Sequence, residues 1–237
     1  NARPILENVN IFNYFDDMNE IITRLENNLS KKNPQQTNYI QFEENPLLKG
    51  LEHLNRLYQA IVKKQVLLIS YQSFQSKKQE PMQAIYYPYL LKEYRNRWFL
   101  LVKSRKSKVL YTLALDRIVE FYELANEPFV DAPELDFDRY YDNVLGVTKT
   151  PKDREQRVVF RVTNKLAPYV VTKPIHATQK LLEETENGTL FSIDVIHNFE
   201  LEREFLGFGE EIEILAPRLL KRNIKRRLEK AVEFYKK

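Results

Sequence analysis

The stretch QAIYYPYLLKEYRNRWFLLVKS, residues 83–104, gives the clearest indication of how the first half of this chain folds. It holds two runs rich in aromatic and branched residues, 83–91 and 97–104, with a short polar turn between them. Strand-forming runs separated by tight turns predict antiparallel hairpins. The same pattern continues in VLLISYQSF at 66–74 and in KVLYTLALDRIVEFYEL at 108–124. Together these short strands predict a small antiparallel β-barrel.

The residues before the barrel have a helical period. In 16–30 and again in 47–64, apolar residues recur at helical spacing, and the polar loop between these two stretches contains two Asn-Pro steps. We therefore expect amphipathic helices in the N-terminal region.

The residues after the barrel change character twice. Residues 119–143 contain eight acidic residues against one base, Arg139, and two prolines, which indicates a linker with a short helix around Phe137–Leu145. Beyond residue 153, strand-like and helix-like runs alternate, and Asn187-Gly188 marks a hairpin turn. A βαββαβ order predicts a ferredoxin-like α+β domain.

Composition excludes several classes of protein. The chain has 237 residues, no cysteine, five glycines and a net charge of +4. Without cysteine there is no disulfide framework, thiolate zinc site, iron–sulfur cluster or thiol nucleophile. No glycine-rich phosphate loop or nucleophile motif occurs, and the three histidines lack metal-ligand spacing. We therefore expect a cytoplasmic protein that is not an enzyme, with no cofactor, no metal and no membrane span.

Aromatic and basic residues are concentrated between residues 86 and 108. The aromatic residues are Tyr86, Tyr87, Tyr89, Tyr94, Trp98 and Phe99. The basic residues are Lys92, Arg95, Arg97, Lys103, Arg105, Lys106 and Lys108. Aromatic rings stack on bases and cations pair with phosphates, so this combination is typical of a site for single-stranded nucleic acid or a nucleotide. The alternative is that the aromatic residues fill a small barrel and the cations form its solvated rim.

Strand alternation gives a more specific prediction. Trp98 is expected to point into the core, whereas Phe99 shares the opposite face with three cations, namely Arg97, Lys103 and Arg105. On the next run, Tyr111 and Arg117 share a face. If the two faces meet, Phe99, Tyr111 and Arg117 form one pocket.

The last predicted helix, 217–235, carries a second group of basic residues. These are Arg218, Lys221, Arg222, Lys225, Arg226, Arg227 and Lys230. The simplest interpretation is the solvated face of an amphipathic helix. The alternative is a contact with nucleic acid or with a partner protein.

With these motifs in view, the chain resembles the WYL-domain transcriptional regulators of bacteria. Trp98-Phe99-Leu100 stands where the family has its Trp-Tyr-Leu signature, and Tyr87–Leu91 is similar to the proline-containing strand before it. Ile69-Ser70-Tyr71 resembles the first strand, and Leu115–Ile118 matches the Leu-Asp-Arg-Ile segment that closes the domain. Residues 154–236 resemble the WCX domain that usually follows.

The resemblance implies a fold class and a division of the chain. It implies an α+β protein in which residues 1–63 form a helical region and 64–124 an SH3/Sm-like β-barrel. Residues 125–152 are then an acidic linker, and 153–237 a ferredoxin-like WCX domain. This part would sense an effector and help form a homodimer. Duplex DNA would be bound by a winged helix-turn-helix domain that is missing upstream, since none is evident in 1–45.

The resemblance also implies a ligand site for single-stranded nucleic acid or a nucleotide-like effector. Its residues would be Tyr71, Arg97, Trp98, Phe99, Lys103, Arg105, Tyr111 and Arg117. Phe99 replaces the signature tyrosine, and Tyr111 stands where many members have a basic residue, so stacking is kept while two polar contacts are lost. The alternative function is an SH3-like protein-interaction module without a small effector.

Overall fold

The computed structural model describes residues 49–74, 80–150 and 152–236, and the predicted helix at 16–30 lies outside them. Within the described residues the chain is a mixed α+β protein with two antiparallel sheets, which confirms the predicted class. No helix in this part of the chain has the length and apolar character needed to cross a bilayer.

The first sheet contains five strands. They are β1 (Val66–Tyr71), β2 (Met82–Tyr94), β3 (Arg97–Ser104), β4 (Leu110–Ala114) and β5 (Ile118–Leu124). Their order across the sheet is β4-β3-β2-β1-β5, and every neighbouring pair is antiparallel.

The run predicted as one strand at 108–124 is two strands, and that prediction was wrong. A 3-10 turn, Leu115–Arg117, separates β4 from β5. The break is required because β4 pairs with β3 at one edge of the sheet and β5 pairs with β1 at the other. Among the described residues β4 and β5 share no ladder, so the sheet is not the closed barrel that we expected.

Helix α1, Leu54–Val62, covers one face of this sheet. It is shorter than the predicted 47–64 because a 3-10 turn, Leu51–His53, precedes it. Leu57 and Ala60 are fully buried against the sheet. Gly50 starts the turn with φ +91°, and a Cβ atom there would lie 2.4 Å from the carbonyl carbon of Leu115. Only glycine fits where the turn crosses that backbone.

The second sheet follows the predicted order of strands and helices. Its elements are β6 (Glu155–Val162), α2 (Ala167–Thr172), β7 (Lys180–Thr185), β8 (Gly188–Ile196), α3 (Phe199–Gly207), β9 (Ile212–Ala216) and α4 (Arg218–Glu233). Strand order is β7-β8-β6-β9, all antiparallel. Phe160, Phe191 and Phe205 centre its core.

Polar contacts join α3 to α4. Glu202 lies 2.7 Å from His197 Nε2 and accepts hydrogen bonds from Asn223 at 3.0 Å and Arg227 at 2.9 Å. Burial by itself would raise the pKa of Glu202, but these hydrogen bonds outweigh it and hold that pKa below its ordinary value.

The acidic region between the sheets contains turns and no helix at 137–145, so the predicted short helix was wrong. Aromatic residues of this region pack against the two sheets, and tertiary packing of this kind overrides weak local preference for a helix. Phe129 packs edge-on against Tyr87 and Tyr89, and the Tyr89 hydroxyl donates to the carbonyl of Val130 at 2.8 Å. Farther along, Tyr141 belongs to a buried cluster that also includes Ile196 of β8. These residues therefore pack against both sheets.

Candidate functional site

The first sheet has two faces with different coverings. We call the face under α1 the inner face and the opposite one the outer face. Leu100 and Val102 are buried in the inner core, and Trp98 packs partly buried against it. Phe99 packs instead with Tyr141 in the outer cluster. The alternation predicted along β3 is confirmed.

Tyr111 lies on the inner face, away from Phe99. The register pairs it with Val102, and its ring meets the Tyr86 ring edge-on at 6.4 Å. Thr112, the next residue, points outward, where its hydroxyl lies 3.1 Å from that of Tyr141. Because side chains alternate with period two, Phe99 and Tyr111 cannot share a face in this register. The structure does not form the pocket that we expected from Phe99, Tyr111 and Arg117 together.

The predicted cations of the outer side are paired with the chain's own acids. We call residues 125–135 the acidic segment. Glu134 lies 3.6 Å from Lys103, and Glu127 bonds Arg105 at 2.8 Å. Phe99 is half-buried on the same side of the sheet. Lys103, Arg105 and Phe99, three of the eight predicted site residues, therefore contact the region between the two sheets.

Three tyrosines converge at the edge of the inner face, and we call Tyr71, Tyr86 and Tyr111 the tyrosine cluster. Burial raises the pKa of Tyr86, and the phenols of Tyr111 and Tyr71 raise it further. The Tyr71 hydroxyl accepts a hydrogen bond from the backbone of Ala114 at 3.3 Å. Tyr111 is 42% exposed on the edge strand β4, so part of the cluster is open to solvent.

The 3-10 turn between β4 and β5 lies next to this cluster, because it begins directly after Ala114, whose backbone bonds the Tyr71 hydroxyl. The turn contributes an arginine, Arg117. Arg117 is the last residue of the turn and precedes Ile118, the backbone partner of Tyr71, and its carbonyl accepts a hydrogen bond from the backbone of Gln72 at 2.9 Å. The Arg117 guanidinium lies 4.3 Å from the centre of the exposed Phe74 ring. Arg97 holds the neighbouring Asp116 through an ion pair of 2.5 Å.

Two atoms of this turn are buried without a hydrogen-bond partner among the described residues. They are Nε of Arg117 and Oδ1 of Asp116. A buried donor left unsatisfied costs about 1–3 kcal/mol. Arg117 as a whole is only half-buried, so an anionic ligand at the surface has access to the exposed part of its side chain and not to Nε itself.

Sequence reasoning missed several residues of this arrangement. Tyr86 and Phe74 were visible as aromatic residues, but only the strand register and the turn place them beside Tyr111 and Arg117. The acidic partners of Lys103 and Arg105 were visible as an excess of acids in 119–143, which is the signal that could have found them.

Comparison with known families gives two matches in the same chain. The WYL domain model matches residues 52–122, and the WCX domain model matches residues 154–232. A comparison with curated proteins gave no match.

Two similar solved structures have low sequence identity. Proteasome accessory factor B/C (PafBC) of Arthrobacter aurescens is 16% identical with a TM-score of 0.33, over 82% of this chain and 28% of that one. A structure described as a CRISPR Cas-related protein is 12% identical with a TM-score of 0.45, over 78% of this chain and 52% of that one. This chain therefore spans about half or less of the length of these structures.

The WYL match contains the signature strand β3, the Leu-Asp-Arg-Ile turn and the tyrosine cluster, and the WCX match contains the whole second sheet. Together the two matches cover more than half of the chain, in the order that the motifs predicted. The chain belongs to the WYL-domain family, as a member whose WYL domain is followed by a WCX domain.

Proposed function

We propose that this chain is the effector-sensing region of a bacterial transcriptional regulator, and that its effector is single-stranded nucleic acid or a nucleotide-like molecule. The observation that carries the proposal is the tyrosine cluster beside Arg117, whose buried Nε has no partner in the described part of the chain. Tyrosine rings stack on bases, and a guanidinium binds phosphate through several donors.

We propose different roles for the expected site residues. Tyr71, Tyr111 and Arg117 would contact the effector, and Trp98 would support them from the partly buried inner face. Arg97 would position the turn through Asp116. The remaining residues, Phe99, Lys103 and Arg105, would act through packing with residues 125–147 unless that contact opens.

The test is titration with a fluorescein-labelled single-stranded oligonucleotide and, separately, with a mononucleotide. Anisotropy reports the first, and the fluorescence of the single tryptophan, Trp98, reports both. Arg117→Gln removes a charge-assisted contact worth about 1.5–3 kcal/mol, so affinity should fall about tenfold or more. Arg139→Gln is the matched control, because the Arg139 side chain is 77% exposed and distant in sequence from the turn.

Saturable binding that Arg117→Gln weakens and Arg139→Gln leaves unchanged supports the proposal. Arg117→Lys keeps the charge and should retain part of the affinity, which separates loss of contact from loss of folding. Absence of saturable binding for both probes would refute it and favour a protein-interaction module.

The domain division is part of the same proposal. We infer a WYL domain of SH3-like type at 64–124, an acidic linker at 125–152 and a ferredoxin-like WCX domain at 153–237, after a helical region at 1–63. The strand orders β4-β3-β2-β1-β5 and β7-β8-β6-β9 support it.

A homodimer is also proposed, formed by the groove between β9 and α4. Strand β9 pairs only with β6 in the described residues, which leaves one edge open, and the groove beside it has a volume of 670 Å³. Its apolar lining residues are Ile212, Ile214, Ile224, Leu228 and Val232. Such an apolar groove at a sheet edge is suited to a second copy of the same surface.

Charge complementarity supports a second copy as the partner. Lys221, Lys225, Glu229 and Glu233 line the groove along α4. A two-fold axis near Arg227 places Lys221 opposite the partner's Glu233 and Lys225 opposite the partner's Glu229. Light scattering should show that Lys225→Glu weakens the dimer, while Lys225→Glu combined with Glu229→Lys restores it; equal masses for all variants would refute this interface.

A further inference from the structure

One side of α4 carries a regular row of cations that no part of the proposed function uses. We call Arg218, Arg222, Arg226 and Lys230 the basic stripe; all four are exposed. In the described part of the chain none of the four forms an ion pair. The neighbouring cations of the same helix do, since Lys221 bonds Glu213 at 3.1 Å, Lys225 lies 3.7 Å from Glu229, and Arg227 bonds Glu202 at 2.9 Å.

The stripe is a straight row of cations that is long enough to follow a linear polyanion. Residues four apart rise about 6 Å along a helix, so the stripe spans about 18 Å. That length runs beside about five phosphates of one strand at about 3.4 Å each. Like charges four residues apart repel each other and weaken a helix, and a row of phosphates would remove this repulsion.

Two exposed aromatic rings continue the stripe at its C-terminal end. Phe234 is the next residue at the same spacing and is 82% exposed, and its neighbour Tyr235 is 86% exposed. Neither aromatic side chain packs in the core of the second sheet. Cations in a row followed by open rings are what single-stranded nucleic acid needs, because the backbone follows the charges and unpaired bases stack on the rings.

The other side of α4 argues against an anionic membrane as the partner. A helix that lies on a bilayer buries its apolar face in the lipid. In α4 the apolar residues Leu220 and Ile224 are buried in the core of the second sheet, and Leu228 and Val232 line the groove proposed for a second copy. Three of the four stripe residues are arginines, whose planar fork matches phosphate oxygens better than lysine does.

We infer that α4 is a second nucleic-acid-binding surface, in which the basic stripe pairs with the phosphates of a single strand and Phe234 and Tyr235 stack on its bases. This surface is separate from the tyrosine cluster and does not depend on it. It gives the WCX domain a ligand-binding role beside the proposed dimer contact.

The test compares two double variants of the whole chain with the same change in net charge. Arg222→Glu with Arg226→Glu reverses the centre of the stripe, whereas Lys173→Glu with Lys180→Glu reverses two exposed lysines elsewhere in the second domain. Anisotropy of a labelled oligothymidine is measured between about 50 mM and about 200 mM salt. Each phosphate contact contributes a slope of about −0.7 in log affinity against log salt, so the stripe variant should lose about 1.4 of slope.

Phe234→Ala completes the test, because it removes stacking and no charge. Affinity should fall about fivefold or more while the salt slope stays unchanged. Equal losses in the stripe and control variants would overturn the inference, as would stronger competition by polyglutamate than by unlabelled oligothymidine. Arg117→Gln, measured beside them, separates the two proposals. If the stripe variant abolishes oligothymidine binding and Arg117→Gln does not change it, only the tyrosine-cluster site is refuted. If Arg117→Gln abolishes binding and the stripe variant does not change it, only the stripe is refuted.

Discussion

Replacement of Phe99 by alanine distinguishes a ligand-stacking residue from a packing residue. The resemblance to the family predicts a ligand contact at this position, whereas the structure packs Phe99 beside Tyr141, Val144, Val147 and Ile196. Val144 and Val147 are 5% exposed and Ile196 is 2% exposed, so the cavity left by Phe99→Ala would lie against buried neighbours.

The expected magnitude follows from this packing. Truncation of a fully buried phenylalanine costs about 3–5 kcal/mol, and Phe99 is only half-buried, so we expect a loss of about 2 kcal/mol in unfolding free energy. With a urea dependence of about 2 kcal/mol per M, the unfolding midpoint should fall by about 1 M. Oligonucleotide affinity at low temperature, where the variant is folded, should change less than about threefold.

Tyr111→Ala is the matched comparison on the other face. Its ring is 42% exposed at a sheet edge, so its removal should cost about 1 kcal/mol of stability or less. Loss of a stacked base should lower affinity by about 1–3 kcal/mol. A Phe99→Ala variant that keeps its urea midpoint and loses ligand binding would show the opposite, namely that Phe99 is a ligand contact and that its outer packing contributes little to stability.

Three further predictions follow from single contacts. Glu127→Gln combined with Glu134→Gln frees Arg105 and Lys103, so oligonucleotide affinity should rise and its dependence on salt should steepen, and an unchanged salt slope would contradict this. Each lost surface ion pair should cost at most about 1 kcal/mol of unfolding free energy in urea. Because the pKa of Glu202 is lowered in the folded state, its contribution to stability is present above the unfolded pKa and is lost as pH falls through the folded pKa. The difference in unfolding free energy between the native chain and Glu202→Gln, measured in urea, should therefore shrink below pH 4.5, and a difference that widens there would contradict the lowered pKa. Gly50→Ala forces a side chain into a left-handed position against backbone, and calorimetry should show a loss of about 1–3 kcal/mol rather than the gain expected at an unstrained glycine.

Local patterns account for the parts of the fold that were predicted well. Strand β3 begins and ends at the predicted residues, 97 and 104, because its branched and aromatic residues are bounded by polar turns. The hairpin between β7 and β8 closes at Thr185 and Gly188, where glycine supplies the positive φ of +126°. Both features depend on residues close together in the chain.

The α+β class, most element positions and the alternation of side chains along β3 could be predicted from the amino-acid sequence, since these follow from periodicity and turn chemistry within short windows. The family could be predicted as well, because its motifs are short and local. Three features became visible only in the folded chain: 108–124 breaks into two edge strands, Tyr111 and Phe99 lie on opposite faces, and the acidic segment pairs with Lys103 and Arg105. The physical reason is that register, edge pairing and ion pairing join residues far apart in the chain. A shift of one residue in a ladder moves a side chain to the other face, and no local pattern specifies which acid a distant cation meets.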